Sequence, residues 1–165
     1  MSIGGKKYLR SFIKVFFATA LAAGAISGLL FSKTYPGQWE LTLSIYPSEI
    51  YFTPGDPDVE PVTSASGPVR IQIDTWPPKR RWEVTVRAEG NLVNSFGEVI
   101  PIGSISWQAT PQPPFYNGVL AAGQNQLLGR GRGRGNGEIN FYFQNSWSYP
   151  SGEYFQVITI TGSLI

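Results

Sequence analysis

Carboxylates, arginines and aromatic rings are the groups this chain has available for chemistry, because it contains neither cysteine nor histidine. Without histidine it lacks the commonest general base and metal ligand, and no Ser-His-Asp triad can form. Without cysteine there are no thiolate nucleophiles, disulfides or cysteine-ligated zinc sites. Asp56, Asp58 and Glu60 alternate in the loop 53–61. Oxygen ligands so spaced bind Ca²⁺ when a loop wraps them around the ion. Pro54, Pro57 and Pro61 stiffen this loop, and it lacks the glycine and terminal glutamate of a twelve-residue calcium loop. A solvated turn is the favoured reading, and no cofactor is expected. Glycoside hydrolysis needs two carboxylates facing each other across a cleft. Glu83 and Glu89 instead fall on outward strand positions, so a non-catalytic protein is expected.

Two basic groups and a set of aromatic rings remain. Arg130, Arg132 and Arg134 alternate with glycine and read as a flexible hairpin loop whose charges keep neighbouring strands away. Lys79, Arg80 and Arg81 form a second cluster, flanked by Trp76 and Trp82. Trp39, Trp82, Trp107 and Trp147 occupy inward positions of alternating runs and are expected in the core. Trp76 lies in a Thr-Trp-Pro-Pro turn outside that pattern. With Tyr116 and Tyr149 it is the candidate platform for stacking a sugar.

The elements that must position these groups are short strands. Period-two alternation marks 39–46, 69–75 and 82–89, with shorter pieces at 49–52 and 105–107. The last 28 residues read most clearly of all. Ile139, Phe141, Phe143 and Trp147 share one face, Ile158 and Ile160 alternate with threonines, and Ser148-Tyr-Pro-Ser-Gly152 suggests a closing hairpin. The chain is expected to be all-β: an antiparallel β-sandwich, immunoglobulin-like or jelly-roll, of seven to eight strands, preceded by an N-terminal hydrophobic helix.

The N-terminus carries Lys6, Lys7, Arg10 and Lys14 and then an uncharged apolar run at 15–31. A basic segment before such a run has the form of a secretory signal peptide, and Ala23-Gly24-Ala25 supplies a cleavage site. The expected organisation is a signal peptide at 1–25, an apolar arm at 26–38 and a sandwich domain at 39–165. An uncleaved anchor at 15–31 is the alternative, which would tie the protein to a membrane through that segment alone. Removing the four basic residues leaves nine basic against eleven acidic side chains. The basicity therefore belongs to targeting, and no nucleic-acid partner is expected. Charged residues make up only 15% of the chain, well below the usual quarter, which leaves a neutral polar surface.

Several segments together resemble the secreted surface β-sandwiches of bacteria, both wall-associated domains and pilin-like filament subunits. They are Trp39-Glu-Leu-Thr-Leu43, Phe52-Thr-Pro-Gly55, Trp82-Glu-Val-Thr-Val86, Ile105-Ser-Trp107 and Gly152-Glu-Tyr-Phe-Gln-Val-Ile-Thr-Ile160. The resemblance implies a structural or adhesive role outside the cell. The leading expectation is a self-associating filament or surface protein. Its arm, with Leu29, Leu30 and Phe31, would add as a strand to the next subunit. The alternative is a module binding cell-wall polysaccharide.

Overall fold

Alternation of buried and exposed residues runs through most of the chain and builds strands almost throughout. The computed structural model describes residues 12–21 and 39–165. Among the described residues there are thirteen strands: β1 (Phe12–Leu21), β2 (Glu40–Tyr46), β3 (Glu49–Phe52), β4 (Val62–Ser64), β5 (Val69–Trp76), β6 (Arg81–Ala88), β7 (Leu92–Asn94), β8 (Val99–Ile100), β9 (Ile105–Thr110), β10 (Gly118–Val119), β11 (Gln126–Arg132), β12 (Gly135–Gln144) and β13 (Glu153–Leu164). A 3-10 turn at Ile102–Ser104 precedes β9.

The strands form two sheets. The first runs β11-β6-β13-β1-β3, with β7 beside β13 and β8 beside β7. The second runs β10-β9-β12-β5-β2, with β4 beside β12. The all-β, two-sheet expectation holds. The strand number of seven to eight was too low, because short strands form inside stretches read as loops. The N-terminal hydrophobic helix needs correction as well. Residues 12–21, seven of them in the apolar run, are a strand, and the remainder of that run lies outside the described residues. Among the described residues no helix is long and apolar enough to cross a membrane.

The closing segment also differs from expectation. Ile139, Phe141 and Phe143 are buried, as are Ile158 and Ile160. Yet β12 belongs to the second sheet and β13 to the first, so the two do not pair as a hairpin. Each strand has one apolar face, and burying those faces against each other needs opposed sheets rather than neighbouring positions in one. The connection crosses the end of the sandwich. There Asn145 Nδ2 donates to the Gly55 carbonyl at 3.0 Å and Trp147 Nε1 to Asp58 Oδ1 at 3.1 Å. Trp147 is thus 59% exposed and Trp39 60%, both at strand ends beyond the packed interior, whereas Trp82 and Trp107 are core residues as expected.

The Arg-Gly run is not a flexible loop. Its residues form the end of β11 and the start of β12, joined by a turn in which Gly133 takes φ +72°. Glycine alternates because the inner face has no room for a side chain. A Cβ at Gly129 would come within 2.7 Å of the Phe115 ring, and one at Gly135 within 2.6 Å of the Trp82 ring. Gly131 meets Trp82 and Gly137 meets Phe115 in the same way. Those two rings pack tilted at 5.9 Å and close this side of the core.

Candidate functional site

The site is the position of β1 inside the first sheet. A strand rich in Phe, Ile, Val and Thr suits a pleated ladder buried on one face. β1 pairs in parallel with β13 along its whole length, from Phe12 opposite Glu153 to Leu21 opposite Gly162. Its other edge pairs antiparallel with β3, from Ile13 opposite Phe52 to Phe16 opposite Glu49. Beyond β3 the Phe17 N–H donates to the Ser48 carbonyl at 2.8 Å. All other strand pairs in the described chain are antiparallel.

Three alternate side chains of β1 point into the sandwich. Ile13 and Val15 are fully buried. Phe17 packs on the core, its ring 5.5 Å from Phe141 of the opposite sheet. The walls of this slot are Ile50 and Phe52 of β3 and Tyr154 and Ile158 of β13, all fully buried. On the outer face Lys14 Nζ lies 2.9 Å from Glu49 Oε2. One of the four basic residues expected to serve targeting therefore forms an ion pair across the sheet.

At the Phe12 end of β1 the slot opens into a small cavity of about 60 Å³, lined by Ile13, Phe143, Trp147 and Tyr149 among others. Tyr154 lies beside it, opposite Ile13 in register. Its hydroxyl donates to the Pro150 carbonyl at 2.9 Å. Burial, then the charge of Glu98 and a hydrogen bond to it, push the Tyr154 hydroxyl above its ordinary pKa.

The facing edges of β3 and β13 hold backbone donors and acceptors, and β1 satisfies both sets. A buried backbone group left without a partner costs free energy comparable to a lost hydrogen bond. The place is occupied by an extended strand whose apolar residues Ile13, Val15 and Phe17 recur at every second position. Ile13, Val15 and Phe17 were missed as site residues in the sequence reading. Their period of two was the available signal, hidden inside an apolar run long enough to pass for a helix.

The residues picked out from sequence fall elsewhere. Asp56, Asp58 and Glu60 are not assembled around a common point. Asp56 Oδ1 accepts the Asp58 N–H at 2.9 Å, Asp58 holds the Trp147 indole, and the Asp56 carbonyl accepts the Glu60 N–H at 2.7 Å. Among the described residues no group of three such side chains could hold a metal ion. Arg130 is paired with Glu83, which raises its already high pKa through a hydrogen bond and charge. Arg132 Nε donates to the Lys79 carbonyl, and Arg134 Nε reaches Asp74 Oδ1 at 2.6 Å. Arg80 lies 3.6 Å over the Trp39 ring. Trp76, Tyr116 and Tyr149 do not form one platform. Trp76 ends β5 near the Glu40 end of β2, Tyr116 precedes β10 at the far edge of that sheet, and Tyr149 packs on Phe143 at 5.9 Å. Leu29, Leu30 and Phe31 lie outside the described residues.

No protein-family model matches the chain. No curated protein matches its sequence either.

Proposed function

We propose that this chain is a non-catalytic structural subunit of the cell exterior, on a sandwich of immunoglobulin-like or jelly-roll type, that assembles by strand addition. The observation that carries the reading is β1: a strand drawn from the segment with the features of a secretion leader fills an interior place in the sheet. Cleavage after Ala25 would take β1 away with the leader. The chain would then have a gap one strand wide, with two unpaired edges and an apolar floor of Ile50, Phe52, Phe141, Tyr154 and Ile158. An open edge over an apolar floor is a ready template for another strand.

The arm at 26–34 has the pattern to fill it. Aligning Phe31 with Phe17 sets Leu29 on the fully buried place of Val15, Phe31 on the half-buried place of Phe17 and the small Ser27 on the place of Ile13. A strand given to the next copy makes a head-to-tail contact, which propagates into fibres. The arm also has a competing destination. Residues 35–39 can span roughly 17 Å at about 3.4 Å each, enough to cross between sheets about 10 Å apart and let the arm refill its own slot. Assembly state therefore decides the matter.

The test uses a chain carrying a specific protease site after Ala25, examined by light scattering and electron microscopy. The uncut chain is expected to be a monomer. The cut chain is expected to form high-molecular-weight polymers, and deletion of residues 26–34 to prevent them. A cut chain that stays folded and monomeric overturns the proposal.

A further inference from the structure

A second site lies on the opposite sheet and is independent of the slot. We infer that the outer face of the second sheet carries a binding site for a neutral polysaccharide. The observation is a hollow of about 490 Å³ on that face, lined by Ser44, Tyr46, Arg70, Gln72, Asn136 and Glu138 among others. Its size falls within the usual range for small-molecule sites.

Strand register explains its composition. Tyr46 pairs with Arg70 and Arg70 with Glu138, while Ser44 pairs with Gln72 and Gln72 with Asn136. All six therefore stand on the outward face in two adjoining rows. The first row is ionically closed: Arg70 Nε lies 3.1 Å from Glu138 Oε1. The second row is made of amides and a hydroxyl. Among the described residues the side chains of Gln72, Asn136 and Tyr46 have no hydrogen-bond partner. Tyr46 is 74% exposed and lines the hollow, so its ring is open to a ligand there.

This chemistry selects its ligand by elimination. A phosphate, sulfate or carboxylate would require a free cation, and Arg70 is already neutralised by Glu138. Further along the same face Arg134 is held by Asp74. Much of the hollow's surface is apolar, but a lipid or apolar peptide would cover the Gln72 and Asn136 amides without pairing them, which costs free energy. What fits is a ligand presenting paired hydroxyls to planar amides, each of which both donates and accepts, and a C–H face to a tyrosine ring. A sugar has both surfaces.

A second ring makes the ligand a polymer. Trp76 is 62% exposed and belongs to the same outward set of β5 as Arg70, Gln72 and Asp74. Six residues at about 3.4 Å each place it roughly 20 Å from the Tyr46 row. Thr42, Ser44, Gln72 and Asp74 line the way between the two rings. Trp76 thus keeps the sugar-stacking role expected of it, with Tyr46 rather than Tyr116 or Tyr149 as its partner.

The test is native affinity electrophoresis of the full chain through gels containing a soluble β-glucan, a xylan or a galactomannan, with polygalacturonate as the anionic control. Retardation is expected on at least one neutral polymer. Tyr46→Ala should weaken it about tenfold or more. Trp76→Ala should weaken binding of a hexasaccharide while leaving a disaccharide unaffected. Both side chains are exposed, so both variants should keep the parent's near-ultraviolet circular dichroism. Three results would each overturn the inference: no retardation by any neutral polymer, retardation by the anionic polymer alone, or retardation unchanged by Tyr46→Ala.

Discussion

The two flanks of the sandwich are closed in opposite ways. On one, Gly129, Gly131, Gly135 and Gly137 leave the inner faces of β11 and β12 bare next to the turn that joins them, and the rings of Trp82 and Phe115 fill the space. On the other, β1 pushes Ile13, Val15 and Phe17 between β3 and β13. The seam is specific for shape, because each ring occupies the volume that a missing side chain vacates. The slot is specific for pattern, because main chain supplies the ladder and any apolar residue of suitable size fills an inward place. Chain distance reinforces the contrast. β11 and β12 are joined by a tight turn at Gly133–Arg134, whereas β1 meets β13 from the opposite end of the sequence. A partner held only through a long loop carries a larger closure entropy, so a competing strand can replace it. The molecule thus has a fixed flank and an exchangeable one.

The largest effect that could break this comparison is expected in the seam. Trp82→Ala removes a fully buried ring from between glycines that cannot expand into the space. It should cost about 3–5 kcal/mol. Urea unfolding would measure it as a lower midpoint at an unchanged slope. A loss below about 1 kcal/mol would mean that the seam collapses readily and is no more specific than the slot.

A smaller effect separates shape from pattern directly. Gly135→Ala adds one carbon within 2.6 Å of the Trp82 ring and should cost about 1–3 kcal/mol, in the range of overpacked cores. Val15→Ile adds one carbon inside the slot and should cost less than about 1.5 kcal/mol, as size-similar apolar exchanges do. Equal losses in the two variants would remove the distinction between the flanks.

The same contrast governs how much the sequence disclosed. Strands with one apolar face were legible, and β3 falls on the expected residues 49–52 because Ile50 and Phe52 alternate with exposed neighbours. Partnership was not legible. The faces of β12 and β13 are alike in pattern, and alternation does not say whether two strands share a sheet or oppose each other. The glycine seam was misread because glycine counts as a turn former, although its own period of two from Gly129 to Gly137 marked a strand whose inner face is supplied by other residues. β1 was misread because an apolar run at 15–31 satisfies helix and strand alike, and the flanking charges favoured the helix. Trp39 and Trp147 have inward parity but sit past the ends of the packed faces, where parity no longer implies burial.

The smallest effect sharpens the comparison most, because it reports the slot without altering it. Tyr154 is fully buried opposite Ile13, and its pKa is raised above the ordinary value of 10.0, chiefly by that burial. Tyrosine is neutral when protonated, so the folded chain holds this proton more tightly than the unfolded chain does. The stabilisation is therefore fully present below pH 10 or so and is lost as pH climbs through the raised native value. Near-ultraviolet tyrosinate absorbance should show a late-titrating group that disappears in Tyr154→Phe, and that variant should lose less stability in alkali. Cutting after Ala25 and deleting residues 26–34 removes both β1 and its candidate replacement. Water then reaches the ring, and the titration should fall back toward the ordinary value. Adding a peptide of residues 26–34 should raise it again, because an exchangeable flank regains its burial from any strand of the right pattern. A titration that ignores both the cut and the peptide would place Tyr154, and the slot beside it, in the fixed part of the molecule.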